Sequence, residues 1–280
     1  MGQGLRAHRG PGRRDVRTVE DALRLLDSMF PTSADRWSDG AGGAWWDGFY
    51  TGRDRSVPFF ENKPDENLVA HLEAGRIRPG RALDLGAGPG RNALFLASRG
   101  FTVDAIDLSD KAVAWARERA QKQGLAVNFV VGDAFQEAGG ELGGPYDLIY
   151  DSGCLHHLPP HRRVSYRALL ERLLAPGGHF GVSCFAAGRM GSDEPDAELY
   201  RSQSLAGGLA FSPDDLRWLF QDLTEVEIRP MLAQSGESSW FGLDFLVTAL
   251  FERPSEAPSA IPSAVSSEVR EEPPSPKLDR

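Results

Sequence analysis

The chain predicts a doubly wound α/β fold, and three observations carry that prediction. From Arg81 onward, short apolar runs alternate with amphipathic stretches, the pattern of a largely parallel sheet covered by helices on both faces. The first apolar run, Ala82 to Leu85, leads directly into glycines at alternate positions: Gly86, Gly88 and Gly90. The second run, Phe101 to Ile106, ends in an acid, Asp107. Strand, glycine loop, helix, strand and acid together form a nucleotide-handling α/β unit.

Taken in order, residues 1–17 are basic, rich in Arg and Gly, and lack the apolar segment of a signal peptide, so a disordered arm is expected. Residues 18–75 form a helical and aromatic cover. It opens with a helix from Thr18 to Phe30, whose apolar positions recur at helical spacing, and ends in a helix near Glu66 to Glu73. Residues 76–251 form the main domain. Strands are expected near 81–85, 102–107, 127–131, 146–150, 179–185, 224–229 and 243–251. Helices are expected near 90–99, 109–123, 161–174 and 213–221. Pro176, Gly177 and Gly178 make a turn into the fifth strand, and Ser212 before Pro213 makes a helix start. Residues 186–211 contain no clear element and follow the fifth strand, where ligand-facing loops belong; a lid or substrate-recognition insertion is expected. Residues 252–280, rich in Pro, Ser and Glu, read as a disordered tail.

Composition narrows the function. A hydrophobic content of 41% over 280 residues fills a sizeable core. No apolar run reaches the roughly 18 residues of a membrane-spanning helix. A net charge of −9 disfavours a nucleic-acid partner held by phosphate contacts and suits a small substrate. Two cysteines, Cys154 and Cys184, exclude a disulfide framework and a cysteine-rich zinc site. With no export signal, the expected compartment is the cytoplasm.

The glycine spacing bears on the nucleotide. Dinucleotide sites use G-x-G-x-x-G, with the pyrophosphate on the helix N-terminus. Here the spacing is G-x-G-x-G, two residues after Asp84. A carboxylate there does nothing for a pyrophosphate but suits a ligand carrying an amino group and a sulfonium. At these residues the chain resembles the class I S-adenosylmethionine-dependent methyltransferases, whose first motif is acid-x-G-x-G-x-G. Asp107, 17 residues past Gly90, completes the 29-residue unit from Ala82 to Asp110.

The resemblance implies a Rossmann-like sheet of seven strands with an antiparallel last strand, and S-adenosyl-L-methionine as cofactor. It places Asp84, Gly86, Ala87, Gly88, Gly90 and Asn92 around the methionine moiety. Asp107 would hold the ribose, with Leu108 beside the adenine. Asp133, followed by Ala134, would accept from the adenine amine. Asp151 would stand at the edge of cofactor and substrate. Trp46 and Tyr50 match a W-x-x-x-Y cover seen in the thiopurine and tellurite-resistance branch, where an aromatic face would attract a sulfonium.

Asp151 and His156 are the catalytic candidates, His156 as a general base because histidine titrates near neutrality. His157 and His161 read as structural or solvated, and no acid or thiolate joins the three histidines at metal-ligand spacing, so no metal is expected. The expected activity moves a methyl group to O, N or S of a small-molecule acceptor. Two alternatives stand beside it: a nicotinamide-dependent oxidoreductase, and a non-catalytic cofactor-binding or regulatory protein of the same fold. Oligomeric state is not legible.

Overall fold

A computed structural model describes residues 16–255. Seven strands form one sheet: β1 Arg81–Leu85, β2 Thr102–Asp107, β3 Asn128–Val131, β4 Tyr146–Ser152, β5 Leu174–Phe185, β6 Thr224–Pro230 and β7 Leu246–Glu252. Their order is β3-β2-β1-β4-β5-β7-β6. Strands β1 to β5 pair in parallel, and β7 inserts antiparallel between β5 and β6. This is the Rossmann-like sheet the resemblance implies.

The helices are α1 Val19–Asp27, α2 Ala41–Tyr50, α3 Glu66–Glu73, α4 Arg91–Ser98, α5 Asp110–Gln123, α6 Ala134–Glu137, α7 Arg162–Leu173, α8 Asp196–Ser202 and α9 Pro213–Leu219. Alternation along the strands sorts the core into two layers. Leu83 and Leu85 of β1 join Ile149 of β4 on the face that Leu169 of α7 and Leu216 of α9 cover. Ala82 and Leu148 point the other way, against Leu68 of α3, Leu94 of α4 and Val113 of α5. Each fully buried Leu is worth about 1.5–3 kcal/mol, so both faces contribute strongly to stability.

The caps explain several boundaries. Thr18 and Asp21 form a capping box at α1, and Ser212 with Asp215 forms another at α9, with Pro213 in the first turn. Some expectations need correction. Residues 41–50 form a helix, although Gly42, Gly43 and Gly48 weaken its propensity; aromatic packing against α5 supplies what propensity does not. Residues 186–211 are not free of structure: they hold α8, and bridges join Ala186 to Phe211 and Ser192 to Leu209. Strand β5 begins at Leu174, ahead of the Pro-Gly-Gly turn, which survives as an irregularity in its register with β4. Strand β7 begins only at Leu246 and runs through Glu252, so the sheet takes the first residue assigned to the tail. Of the expected arm, residues 1–15 lie outside the described residues, and Arg17 donates its N–H to Asp21 ahead of α1; of the expected tail, residues 256–280 lie outside them. No helix among the described residues is long and apolar enough to cross a membrane.

Candidate active site

The carboxyl ends of β1, β2, β3, β4 and β5 open onto one cavity of about 400 Å³. Its floor is the loop after β1. Gly88 has φ +52°, a left-handed conformation that favours glycine, and a Cβ there would stand 2.9 Å from the Tyr50 hydroxyl. The loop therefore passes tightly beneath α2, whose Trp46 and Tyr50 sit one turn apart with rings 6.0 Å apart and nearly parallel. Gly86, Ala87 and Gly88 line the cavity. Gly90, expected beside the same ligand, is not among the residues that line it. It lies at the start of α4, where a Cβ would come within 3.0 Å of the Ala116 methyl and 3.4 Å of the Phe129 ring. Its glycine serves close packing of loop, helix and strand.

The acids at the strand ends divide by what holds them. Asp107 accepts from the Gly88 N–H at 2.8 Å and the Ser109 N–H at 2.9 Å. Burial pushes its carboxyl up to about 6, against those two amides. Asp84 accepts from the Ala93 N–H at 2.9 Å and is pushed up to about 8, chiefly by burial, with Arg91 opposing and Asp65 adding to the rise. Asp133 caps α6 by accepting from the Phe135 N–H at 2.9 Å, and burial raises it as well. Asp84, Asp107, Leu108, Asp133 and Ala134 all line the cavity. Desolvated carboxylates with lone pairs left over suit a cationic, amine-bearing ligand.

Asp151, expected at the edge of cofactor and substrate, is not among the residues that line the cavity. It is fully buried behind the cavity wall, accepting from the Cys154 N–H at 2.7 Å, the Leu155 N–H at 2.9 Å and the Tyr166 hydroxyl at 2.7 Å. Its carboxylate folds the turn after β4. Asn92 lines the cavity, yet its amide is engaged by Asp65, whose backbone N–H it accepts at 3.0 Å.

That contact belongs to a buried network invisible in the sequence. Asp65 pairs with Arg91, accepts from Asn92 and takes the Tyr150 hydroxyl at 2.7 Å, while Asn67 donates to the Tyr150 oxygen at 3.0 Å. Arg91 also donates to Ser152 at 2.7 Å and lies 4.1 Å from the Phe241 ring centre. The network ties α3 to the start of α4 and to β4. Acid–Arg partners 26 residues apart carry no local signature.

His156 and His157 occupy a short 3-10 turn, Leu155–His157, and both line the cavity. The His156 ring stacks on Phe185 with centroids 3.7 Å apart, and burial pushes it well below its usual value. His157 packs edge-on to Trp46 and is held at about 4, by burial first and Arg36 second. His161 lies off the cavity, joining Asp27 at 2.7 Å and the Tyr200 hydroxyl at 2.8 Å. Among the described residues, no three His, Cys, Asp or Glu side chains converge as a metal-ligand set. Further wall comes from Met190, within the segment expected to recognise substrate, and from residues the sequence did not single out: Phe185 at the end of β5, and Phe241, Leu243 and Phe245 between β6 and β7. Aromatic enrichment before β7 was the available signal; it read as part of a strand.

Residues 82–178 match the model of a methyltransferase domain family. An uncharacterised methyltransferase of Schizosaccharomyces pombe is 35% identical over 107 residues, 38% of this chain and 70% of that one. The chain belongs to the class I S-adenosylmethionine-dependent methyltransferases. Its cofactor is accordingly S-adenosylmethionine, and the nicotinamide alternative falls. The glycine cradle beneath Tyr50 and the three acids at the strand ends fit that group. The 2-heptyl-1-hydroxyquinolin-4(1H)-one methyltransferase of Mycobacteroides abscessus is 32% identical over 129 residues, 46% of this chain. The match spans only 56% of that relative's length. A solved structure from work on the conversion of a disulfide bond into a thioacetal group during echinomycin biosynthesis superposes with a TM-score of 0.60 at 25% identity. The match covers 76% of this chain and 92% of that one.

Proposed function

We propose that the protein transfers a methyl group from S-adenosylmethionine to an O, N or S atom of a small-molecule acceptor. The observation that carries this reading is the composition of the cavity beyond the cofactor cradle. Its wall there is apolar and aromatic, from Trp45 and Phe49 of α2 to Phe185, Met190, Phe241 and Phe245. Such a wall suits a compact, weakly polar acceptor; a protein segment or a nucleic acid would need an open, polar groove. The relative named for a 2-heptyl-1-hydroxyquinolin-4(1H)-one supports the same acceptor type.

Asp84, Asp107 and Asp133 would hold the cofactor's amino, ribose and adenine groups. Trp46 and Tyr50 would cover it, and residues 186–211 would close the acceptor end. Methyl transfer is a displacement at an activated carbon, so alignment and exclusion of water supply most of the rate, about 7–11 kcal/mol where the geometry is tight. The cover and the apolar wall provide both. The non-catalytic alternative is tested in the same assay. The purified chain is incubated with methyl-labelled S-adenosylmethionine and a metabolite extract, with protein and RNA fractions in parallel. Label in the low-mass fraction is the expected result. Label confined to protein or RNA rejects the acceptor class, and cofactor binding without transfer to any fraction favours the non-catalytic protein.

A further inference from the structure

His156 lines the cavity against Phe185, the last residue of β5, and its surroundings decide what it does. Its ring lies on Phe185 at an interplanar angle of 10°. Its backbone carbonyl accepts from the Leu209 N–H at 2.7 Å. Gly208 closes from behind: with φ +152°, a Cβ there would stand 2.7 Å from the Phe185 ring and 3.2 Å from the His156 carbonyl. Ring and backbone are thus clamped between the cavity and the segment 186–211.

The clamp leaves one ring nitrogen sealed. Nδ1 is buried and has no hydrogen-bond partner, so Nε2 is the nitrogen left to meet a ligand. A histidine base ordinarily has its other nitrogen oriented by a carboxylate or carbonyl. Here the neighbouring carboxylate, Asp151, is spent on the Cys154 and Leu155 amides and Tyr166. The titratable group facing the ring is His157, which offers no negative charge. A proton on Nδ1 would be an orphaned buried donor; a bare nitrogen there is an unpaired acceptor, the more tolerable of the two. The proton therefore belongs on Nε2, where it can be used.

We propose that His156 is a neutral hydrogen-bond donor, its Nε2–H directed at an acceptor that enters already ionised: an acidic hydroxyl or thiol on an aromatic or heteroaromatic ring. This rests on the methyltransferase reading above and deepens it. Arg36 adds positive charge at the same end. Its guanidinium lies 3.7 Å from the Trp45 ring centre and hydrogen-bonds the Ser33 and Asp35 carbonyls. The acceptor's proton leaves to solvent before binding. Its anionic lone pair forms the new bond to the methyl carbon, the C–S electrons stay on the sulfonium sulfur, and the two charges cancel. No group on the protein has to take a proton.

The test reads the tautomer directly. Long-range 1H–15N correlation of the 15N-labelled full chain, with His156 assigned by difference against His156→Gln, should show a protonated Nε2 and a bare Nδ1. The pattern should persist from about pH 5.5 to about 8.5. A protonated Nδ1, or an imidazolium in that range, overturns the donor. The acceptor class is tested with methyl-labelled S-adenosylmethionine and three probes: 4-nitrothiophenol, 4-nitrophenol and 4-nitrobenzyl alcohol. Transfer to the thiol or the phenol, at a rate about a hundredfold or more above the alcohol, is expected. Comparable transfer to the alcohol, or transfer to none by a chain that binds the cofactor, overturns it. Absence of cofactor binding in calorimetry would instead strike the methyltransferase reading and leave the tautomer result standing.

Discussion

The hydroxyl of Tyr50 lies so close over Gly88 that a single methyl group added to the loop would stand 2.9 Å from it. The loop after β1 and the aromatic cover of α2 are therefore built to one clearance, although 38 residues separate them. Whatever occupies the cradle is enclosed by both.

Gly88→Ala should test that clearance. The new Cβ must tolerate φ +52° and displace Tyr50, at a cost of about 1–3 kcal/mol. Calorimetry should show S-adenosylmethionine affinity reduced at least tenfold in a chain that still melts cooperatively. Unchanged affinity would mean that the cover does not rest on the loop when the cofactor binds.

Asp107→Ala should weaken S-adenosylmethionine by about 1.5–3 kcal/mol, the range for hydrogen bonds to a charged group. Because burial places this carboxyl near 6, cofactor affinity of the native chain should fall as pH drops through that value and the acceptor oxygens become protonated. A titration series across that range, run beside Asp107→Ala, checks both statements: the native chain should lose more affinity toward acid than the variant.

Asp84 predicts the pH dependence of stability in the absence of cofactor. Its carboxyl is raised to about 8 in the folded chain, chiefly by burial, against about 3.9 unfolded. The folded state binds the proton more tightly between those values, so this group's contribution makes stability fall as pH climbs from about 4 to about 8. Asp84→Asn can still accept from the Ala93 N–H and removes that penalty. Its melting temperature should exceed that of the native chain near pH 8, by the equivalent of about 1–3 kcal/mol, with the gap closing toward pH 4. A variant that melts lower at pH 8 would contradict this.

Asp27 works in the opposite sense. Burial alone would raise its carboxyl, but hydrogen bonds from His161 and Arg162 outweigh that and hold it at about 2. Its stabilisation is complete above the unfolded value and is lost as pH falls from about 4 toward 2. Asp27→Ala should cost about 1–3 kcal/mol at neutral pH. It frees the Trp37 indole, which donates to Asp27 at 3.0 Å and lines the cavity. Chemical denaturation of the variant at pH 7 and at pH 3 should show the deficit shrinking in acid.

Phe185→Leu should leave cofactor affinity unchanged and lower kcat at least tenfold, because the platform under His156 is lost while Asp84, Asp107 and Asp133 stay in place. Cofactor calorimetry beside turnover of the acceptor separates the two effects. A parallel loss in both would make Phe185 a residue of the fold alone.

What the sequence by itself determined was the strand–loop–helix–strand core. Its signals are local: apolar runs of strand length, glycines where φ turns positive, an acid at a strand tip, a serine and proline at a helix start. The same logic brought Asp84, Gly86, Gly88, Asp107 and Asp133 to one cavity, since parallel strands present their carboxyl ends together. Tertiary structure alone decided the rest. Gly90 looks like its two neighbours in the motif, yet the packing of Ala116 and Phe129 claims it. Asp151 sits at a strand end like the other acids, but the turn after β4 bends its own amides and Tyr166 onto it. The Asp65–Arg91 pair, the Phe185–His156 stack and the aromatic wall before β7 join residues tens of positions apart. Which of two identical side-chain types faces a ligand, and which faces the protein, depends on neighbours that only the folded chain supplies.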